Sequence, residues 1–337
     1  MVLTADEQRN LTASLVRMKL AAEGEVPRLT PLTGGISSLI VRADTSRGTC
    51  CIKQALAQLR VAAEWKAPVE RNLAEARYLK LASGVSPGAV PRLIAEDPEG
   101  AAFAMELFDE RVYPNWKAQL RDGVIRPAVA SGVARLMVSI HRATAGDAKV
   151  ARDFANDDWF RALRLDPYFG AAAAMHPDCA PVLERLIEVT ASTKRALVHG
   201  DASPKNVLAG PDGPVLLDAE CAWFGDPAFD LSFALTHLLL KCIWKPAFSA
   251  GYLDCFDSLS RDYLRSVNWE PATDLEARAA LCVAGLLLAR IDGKSPVEYL
   301  TDEGDRARVR AFARKFLLQP AAALAPLREA WHKELCP

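Results

Sequence analysis

Between residues 197 and 220 two apolar runs enclose a polar loop, and no other stretch constrains the chain as strongly. Leu197-Val198 leads into His199-Gly200-Asp201, the loop continues through Ala202-Ser203-Pro204-Lys205-Asn206, and Val207-Leu208 begins a second apolar run. After Pro211-Asp212-Gly213, Val215-Leu216-Leu217 ends in Asp218-Ala219-Glu220, which reads as a small hairpin closed at that turn. Asp201 precedes Asn206 by five positions, and Asp218 ends the final run. Phosphoryl transfer needs an acceptor for the substrate hydroxyl proton and metal ions spanning the terminal phosphates. Magnesium takes hard oxygen ligands, so an Asn amide oxygen and a carboxylate, completed by phosphates and water, make a sufficient site. The spacing therefore predicts Asp201 as catalytic base and Asn206 and Asp218 as magnesium ligands. A lone Asp-x-x-x-x-Asn would be only a polar turn at Pro204; the His-Gly-Asp lead-in, the apolar flanks and the second strand ending in Asp argue against that reading.

The segment resembles the catalytic loop of aminoglycoside phosphotransferases and choline-kinase-like enzymes, usually His-Gly-Asp-x-x-x-x-Asn followed by a strand ending in Asp with a nearby carboxylate. Gly225-Asp226-Pro227-Ala228-Phe229-Asp230-Leu231 matches the same family, and the resemblance runs from about residue 28 to about residue 240. It implies an α+β, two-lobed protein-kinase-like fold. Residues 1–108 would form a small nucleotide-binding lobe, an antiparallel sheet with a helix, and residues 109–337 a larger, mainly helical lobe for catalysis and acceptor binding. It further implies that Asp230 braces the catalytic loop through its backbone, and that His199 has a structural role.

Upstream parts follow in the order this fold requires. Thr33-Gly34-Gly35-Ile36-Ser37-Ser38 lies between short apolar segments, and glycines with exposed amides and hydroxyls can fold over phosphates, although a Gly-Gly turn alone is as readily an ordinary hairpin. The backbone of Gly34 and Gly35, with Ser37 and Ser38, is the expected phosphate cover. Thr49-Cys50-Cys51-Ile52-Lys53 is a compact strand ending in lysine, and a buried lysine needs partners because stranding its charge costs several kcal/mol. Leu73, Ala76, Leu79 and Ala82 recur at helical spacing, which sets Glu75 beside the apolar stripe of a helix. By resemblance the strand lysine pairs with a glutamate there; Glu70 is the competitor. Ala101 to Phe108 reads as a buried strand, and by resemblance it ends in a hinge where adenine meets backbone groups around Glu106 and Phe108. Thr4 with Glu7 reads as a capping box for a first helix.

Composition narrows the function classes. At 337 residues, half of them hydrophobic, the chain can bury the cores of two lobes. A net charge of -1 gives no field for nucleic acid or an anionic membrane. No run approaches the roughly 18 apolar residues of a membrane span, and residues 1–7 lack the basic start and apolar core of a signal peptide. Eight cysteines lie scattered in apolar context without a Cys-x-x-Cys, so they read as core residues of a protein in a reducing cytoplasm. The cofactors expected are ATP and Mg2+, and the partner a small-molecule hydroxyl acceptor.

Further along, Val133, Leu136, Met137 and Ile140 form the stripe of a helix under the catalytic loop, with His141 as a capping or packing residue. Several features depart from protein kinases. Ser203 stands where those enzymes carry a phosphate-contacting lysine, with Lys205 two residues on; Asp218-Ala219-Glu220 replaces Asp-Phe-Gly; and the interval from Asp218 to Asp230 is too short for an activation loop. A small-molecule kinase is the expected class. Glu220 reads equally as a metal contact through water or a surface carboxylate. The acceptor stays open: a polycation would need Asp157, Asp158, Asp226 or Glu220, a quaternary ammonium the rings of Trp116, Trp159, Tyr168, Trp223 or Trp244, and an anionic or neutral sugar-like alcohol Arg164, Arg290 or Lys294. Residues 290–296 are either a loop at the cleft mouth or a helix stop. Two other readings compete: an ATP-binding pseudokinase, against which the complete Lys53, Asp201, Asn206 and Asp218 set counts, and a metal hydrolase using His199, Asp201 and Asp218, which lacks the further histidines such sites recruit.

Overall fold

A computed structural model of the protein describes residues 2–32, 38–56 and 71–335. Gly34, Gly35, Ser37 and Glu70 lie outside these residues. The first helix, α1 (Ala5–Arg17), opens with the capping box its sequence predicts: the Thr4 hydroxyl accepts from the Glu7 amide at 3.2 Å and the Glu7 carboxylate from the Thr4 amide at 2.9 Å. Five strands follow, β1 (Arg28–Pro31), β2 (Ser38–Thr45), β3 (Gly48–Ala55), β4 (Leu93–Asp97) and β5 (Ala102–Met105), with helix α2 (Arg71–Val85) between β3 and β4. They make one antiparallel sheet in the order β1-β2-β3-β5-β4, so β3 has a neighbour on each side. Strand alternation then decides where its side chains go. Cys50 and Ile52 join Leu11 and Leu15 of α1 in one apolar cluster, while Cys51 joins Ala76 and Leu79 of α2 in another. Lys53, two residues beyond Cys51, falls on the α2 side of an interior strand and is 1% exposed.

After Met105 the chain is mainly helical. It runs through α3 (Trp116–Arg121), α4 (Pro127–Thr144), α5 (Ala148–Asp153), α6 (Asp157–Phe160), a π-helix at Arg161–Gly170, α7 (Ala171–Met175) and α8 (Ala180–Ser192). Four short strands come next, β6 (Ala196–Val198), β7 (Val207–Gly210), β8 (Gly213–Leu216) and β9 (Trp223–Gly225). β7 pairs with β8 from Val207↔Leu216 to Gly210↔Gly213, which is the hairpin the sequence predicts, and β6 pairs with β9. The chain closes with α9 (Pro227–Trp244), α10 (Ser249–Leu264), α11 (Ala272–Asp292), α12 (Glu303–Leu318) and α13 (Leu324–Leu335). α9 is buried on nearly every side, between α10, α11 and the strands that carry the catalytic loop. An antiparallel sheet followed by a helical body is the protein-kinase-like architecture expected from the sequence. Seven cysteines among the described residues are buried and unpaired, and no described helix is long and apolar enough to cross a membrane.

The helical body is packed tightly where α11 passes α8 and the π-helix. A Cβ on Gly285 would lie 2.6 Å from Leu186 Cδ2 and 3.1 Å from Phe169 Cε1. Gly285→Val is expected to cost about 2 kcal/mol through overpacking. Thermal unfolding checks this, and an unchanged midpoint would show that the helices part without cost.

Candidate active site

Interior strand β3 delivers the Lys53 ammonium into a site where α2 and the loop after β8 supply carboxylates. Lys53 Nζ lies 2.6 Å from Glu75 Oε2 and also bonds Asp218 Oδ1. Lys53 and Glu75 are each 1% exposed, so neither is solvated by bulk water. Burial works against the Lys53 charge, but Asp218, then Glu75 and Glu220, outweigh it and hold the ammonium above its usual range. Burial pushes the Glu75 carboxyl up to about 7 against the pull of Lys53. Asp218 moves the opposite way, because Lys53 and then Lys205 overcome its burial. Its backbone is in the left-handed region at φ +65°, a strained state for a non-glycine residue that is common at functional positions. Glu220, left open in the sequence, accepts from buried Arg71 Nε at 3.1 Å and so ties the start of α2 to the segment after Asp218.

The 199–206 loop, the candidate catalytic loop, is held from behind by one buried carboxylate. Asp230, in the first turn of α9, accepts the His199 amide at 2.6 Å and the Gly200 amide at 2.8 Å, the bracing that the resemblance implies. His141 of α4 reaches the same carboxylate at 3.2 Å through Nε2 and Tyr263 OH at 2.7 Å through Nδ1, so it belongs to the loop support and does more than pack. The His199 ring spans the site: Nε2 lies 3.0 Å from Leu217 O, and Nδ1 accepts the Asp201 amide at 3.2 Å. That pairing fixes the tautomer with hydrogen on Nε2 and leaves the ring neutral. Gly200 has φ +76°, and a Cβ there would sit 2.6 Å from Cys221 O, so only glycine fits.

Asp201 is 5% exposed, and its Oδ2 lies 3.1 Å from both Arg164 Nη2 and Lys205 Nζ. Arg164, on the π-helix, also donates from Nε to Gly200 O at 2.5 Å, so it positions the loop as well as the carboxylate. Asn206 donates from its side chain to Asp201 O at 3.0 Å, and its own carbonyl accepts the Leu217 amide at 2.9 Å. Among the described residues its Oδ1 has no partner, which leaves one amide oxygen and the Asp218 carboxylate as hard donors for a cation. No group of three or more His, Cys, Asp or Glu with metal-holding geometry is found among the described residues, and a hydrolase centre on His199 needs such a group.

The other expected residues divide. Ser38 opens β2 and is buried, with a hydroxyl that has no described partner. The Glu106 amide is taken by Arg92 O at 2.9 Å, while the Glu106 carbonyl and Phe108 amide have no described partner and lie partly exposed. Three of the four carboxylates considered for a polycation are committed elsewhere, Asp157 to Lys194 and Trp223, Asp226 to Arg278 and Glu220 to Arg71, while Asp158 is exposed with no ion pair among the described residues. Of the rings considered for a quaternary ammonium, Trp116 and Trp223 are buried, and Trp244 stacks on Tyr299 with centroids 4.5 Å apart. The Lys294 side chain is exposed, but its amide donates to Pro167 O at 2.8 Å, so the 290–296 turn is pinned to the π-helix. Arg290 instead enters a small cavity that adjoins the 203–205 stretch. Two lining residues of that cavity were not anticipated, His237 and Lys241. Both interrupt the apolar run of α9, a signal legible in the sequence.

These features define a phosphotransferase of protein-kinase-like architecture, an enzyme that transfers phosphate to an alcohol group of a small molecule. The chain belongs to the phosphotransferase enzyme family, whose model matches residues 28–266, more than two thirds of the sequence. It is 24% identical over 289 residues to a methylthioribose kinase of Geobacillus thermodenitrificans, covering 76% of this chain and 71% of that one. It is 28% identical to methylthioribose kinase 1 of rice (Oryza sativa subsp. japonica), covering 57% of this chain and about half, 51%, of the rice enzyme. A choline kinase structure from Cryptosporidium parvum superposes with a TM-score of 0.55 over 94% of this chain and 99% of that one at 13% identity, a likeness of fold.

The buried neutral His199 makes stability depend on pH. Burial lowers its proton affinity below the ordinary 6.5, and His237 shifts the same way. The unfolded chain then takes up protons below about pH 6.5 that the folded chain refuses, so stability present above that pH is lost as pH falls toward the depressed folded values. Each histidine contributes a slope of up to about 1.4 kcal/mol per pH unit. Urea unfolding at pH 7.5, 6.5 and 5.5 is expected to give a shallower acid slope in His199→Asn, and an identical slope would mean that His199 is charged in the fold.

Proposed function

We propose that the protein transfers the γ-phosphate of Mg-ATP to a hydroxyl group of a small molecule, with residues 1–108 forming the nucleotide lobe and residues 109–337 the catalytic and acceptor lobe. The observation that carries this reading is the convergence of Lys53, Glu75 and Asp218 beside a braced loop holding Asp201 and Asn206. Lys53, oriented by Glu75, would hold the phosphates. The Gly34–Gly35 backbone with Ser37 and Ser38 would cover them, and adenine would meet the free backbone groups at Glu106 and Phe108. Asn206 and Asp218 would hold magnesium, which supplies positive charge to the terminal phosphates.

In the reaction the acceptor oxygen forms a bond to the γ-phosphorus, the bond from that phosphorus to the β–γ bridging oxygen breaks, ADP leaves, and the hydroxyl proton passes to Asp201. Arg164 and Lys205, both 3.1 Å from Asp201, keep its carboxylate in place for that proton. The half-exposed Lys205 side chain also stands where charge develops on the transferred group. Nothing supports a pseudokinase, since every residue such proteins commonly lack is present. The buried, unpaired cysteines suit a reducing cytoplasm.

ADP release from Mg-ATP against aminoglycosides, choline, ethanolamine, methylthioribose, homoserine and simple sugars tests this reading. Asp201→Asn is expected to cut turnover by about 10²-fold or more with nucleotide affinity nearly intact. Undiminished turnover in that variant removes Asp201 as the base.

A further inference from the structure

The cavity beside the catalytic loop is lined by four cationic side chains, and only two of them have an acidic partner. Lys205 pairs with Asp201 and Lys117 with Glu298. Lys241 and Arg290 have no carboxylate partner among the described residues, although they are 1% and 9% exposed. Arg290 Nη1 bonds only neutral oxygens, those of Tyr168 and Ser295. Lys241 Nζ lies against ring faces, 4.8 Å from the Tyr299 centroid and 5.2 Å from that of Trp244. Burying an unpaired cation costs several kcal/mol, and two in one cavity repel each other as well. Burial and neighbouring Lys117 accordingly pull the Lys241 ammonium down to about 7.

A second set of observations points into the same space. Ser203 Oγ, Tyr299 OH and Arg290 Nε are all buried with no hydrogen-bond partner, and all three residues line the cavity. Lys205, another lining residue, lies 3.1 Å from Asp201 Oδ2, so the cavity adjoins the proposed catalytic carboxylate. Glu298, the one acid lining the cavity, is occupied by Lys117. Hydroxyl and guanidinium donors around the unmatched Arg290 charge, with a lysine whose charge an anion would restore, form a receptor for an oxyanion.

We propose that the acceptor is a small hydroxyl compound that also carries an oxyanion, a carboxylate or phosphate group, seated between Lys241 and Arg290 with Ser203 and Tyr299 donating to it. This rests on the phosphotransferase reading above and narrows its substrate class away from polycations and quaternary ammonium compounds.

The test separates the two ideas. Thermal unfolding of the full chain is followed during titration with inorganic phosphate, and Mg-ADP binding is measured on the same samples. Phosphate is expected to stabilise the wild type, with at least tenfold weaker apparent affinity in Lys241→Met and Arg290→Gln but not in Lys53→Met. Circular dichroism confirms that each variant folds. An absent phosphate effect, or one lost only in Lys53→Met, overturns the oxyanion seat while leaving the kinase reading to stand on Mg-ADP binding; failure to bind Mg-ADP overturns that reading instead. Turnover is then compared for hydroxy acids, sugar phosphates, neutral sugars and choline. The first two are expected as substrates, and their carboxylate and phosphate arms distinguish the source of the oxyanion. For the substrate found, Arg290→Gln is expected to raise KM at least tenfold with a smaller change in kcat. Turnover confined to neutral or cationic acceptors and insensitive to Arg290→Gln overturns the proposal.

Discussion

A single ammonium buried on an interior strand holds the sheet, α2 and the segment after β8 together. Lys53 cannot reach water from its place on β3, so its charge has to be met from outside the sheet, and α2 and the loop after β8 each bring a carboxylate to it. Glu75 fixes the position of α2 against the sheet, and Asp218 fixes the C-terminal part against both. Three acids, counting Glu220, then surround one lysine, with Arg71 taking up Glu220. Glu75, raised by burial to about 7, and Asp218, lowered against its burial by Lys53, thus divide the two sides of one ammonium between them.

The 199–206 loop depends on a different arrangement, in which one carboxylate serves backbone rather than side chains. Asp230 accepts two consecutive loop amides, and His141 and Tyr263 behind it keep its orientation. The loop then turns at Gly200, whose left-handed backbone and close approach to Cys221 O leave no room for a Cβ. The loop can then present Asp201 and Asn206 from a fixed frame without using either for support, apart from Asn206 closing back on the Asp201 carbonyl. Preorganisation of this kind reduces the reorganisation needed when charge develops.

What the sequence revealed depended on how local each signal is. The hairpin, the Asp201–Asn206 interval and Asp218 lie within about twenty residues, so their spacing alone places them together. Lys53 was legible because a lysine ending a compact apolar strand demands partners, and Glu75 because helical periodicity sets it beside the stripe. The ties from Arg164 to Asp201, from His141 to Asp230 and from Tyr263 to His141 join segments with no common pattern, so only the packed fold shows them. Most of the carboxylates and rings weighed as acceptor ligands, among them Asp157, Asp226, Glu220, Trp116, Trp223 and Trp244, are engaged in packing and ion pairs, since composition counts such residues without saying where they face. Lys241 and His237 are the instructive omission: polar residues inside an almost wholly buried apolar helix are costly there, and that cost was readable from residues 227–244.

The two regions differ electrostatically. Around Lys53 each cation has a carboxylate beside it; in the cavity that Lys241 and Arg290 line, bases exceed acids among the described residues. Replacing an unmatched buried charge with an apolar side chain of similar volume commonly stabilises a protein, so selection for stability alone would not retain Lys241 in the core of α9. Its presence there is accounted for if, as proposed, a ligand supplies the missing negative charge. Lys205 stands between the two regions, bonded to Asp201 and drawn also toward Asp218, where an anionic acceptor and the transferred phosphoryl group would meet. Two anions approaching one another repel, and a cation at that point, backed by Arg164, is the arrangement that bringing them together requires.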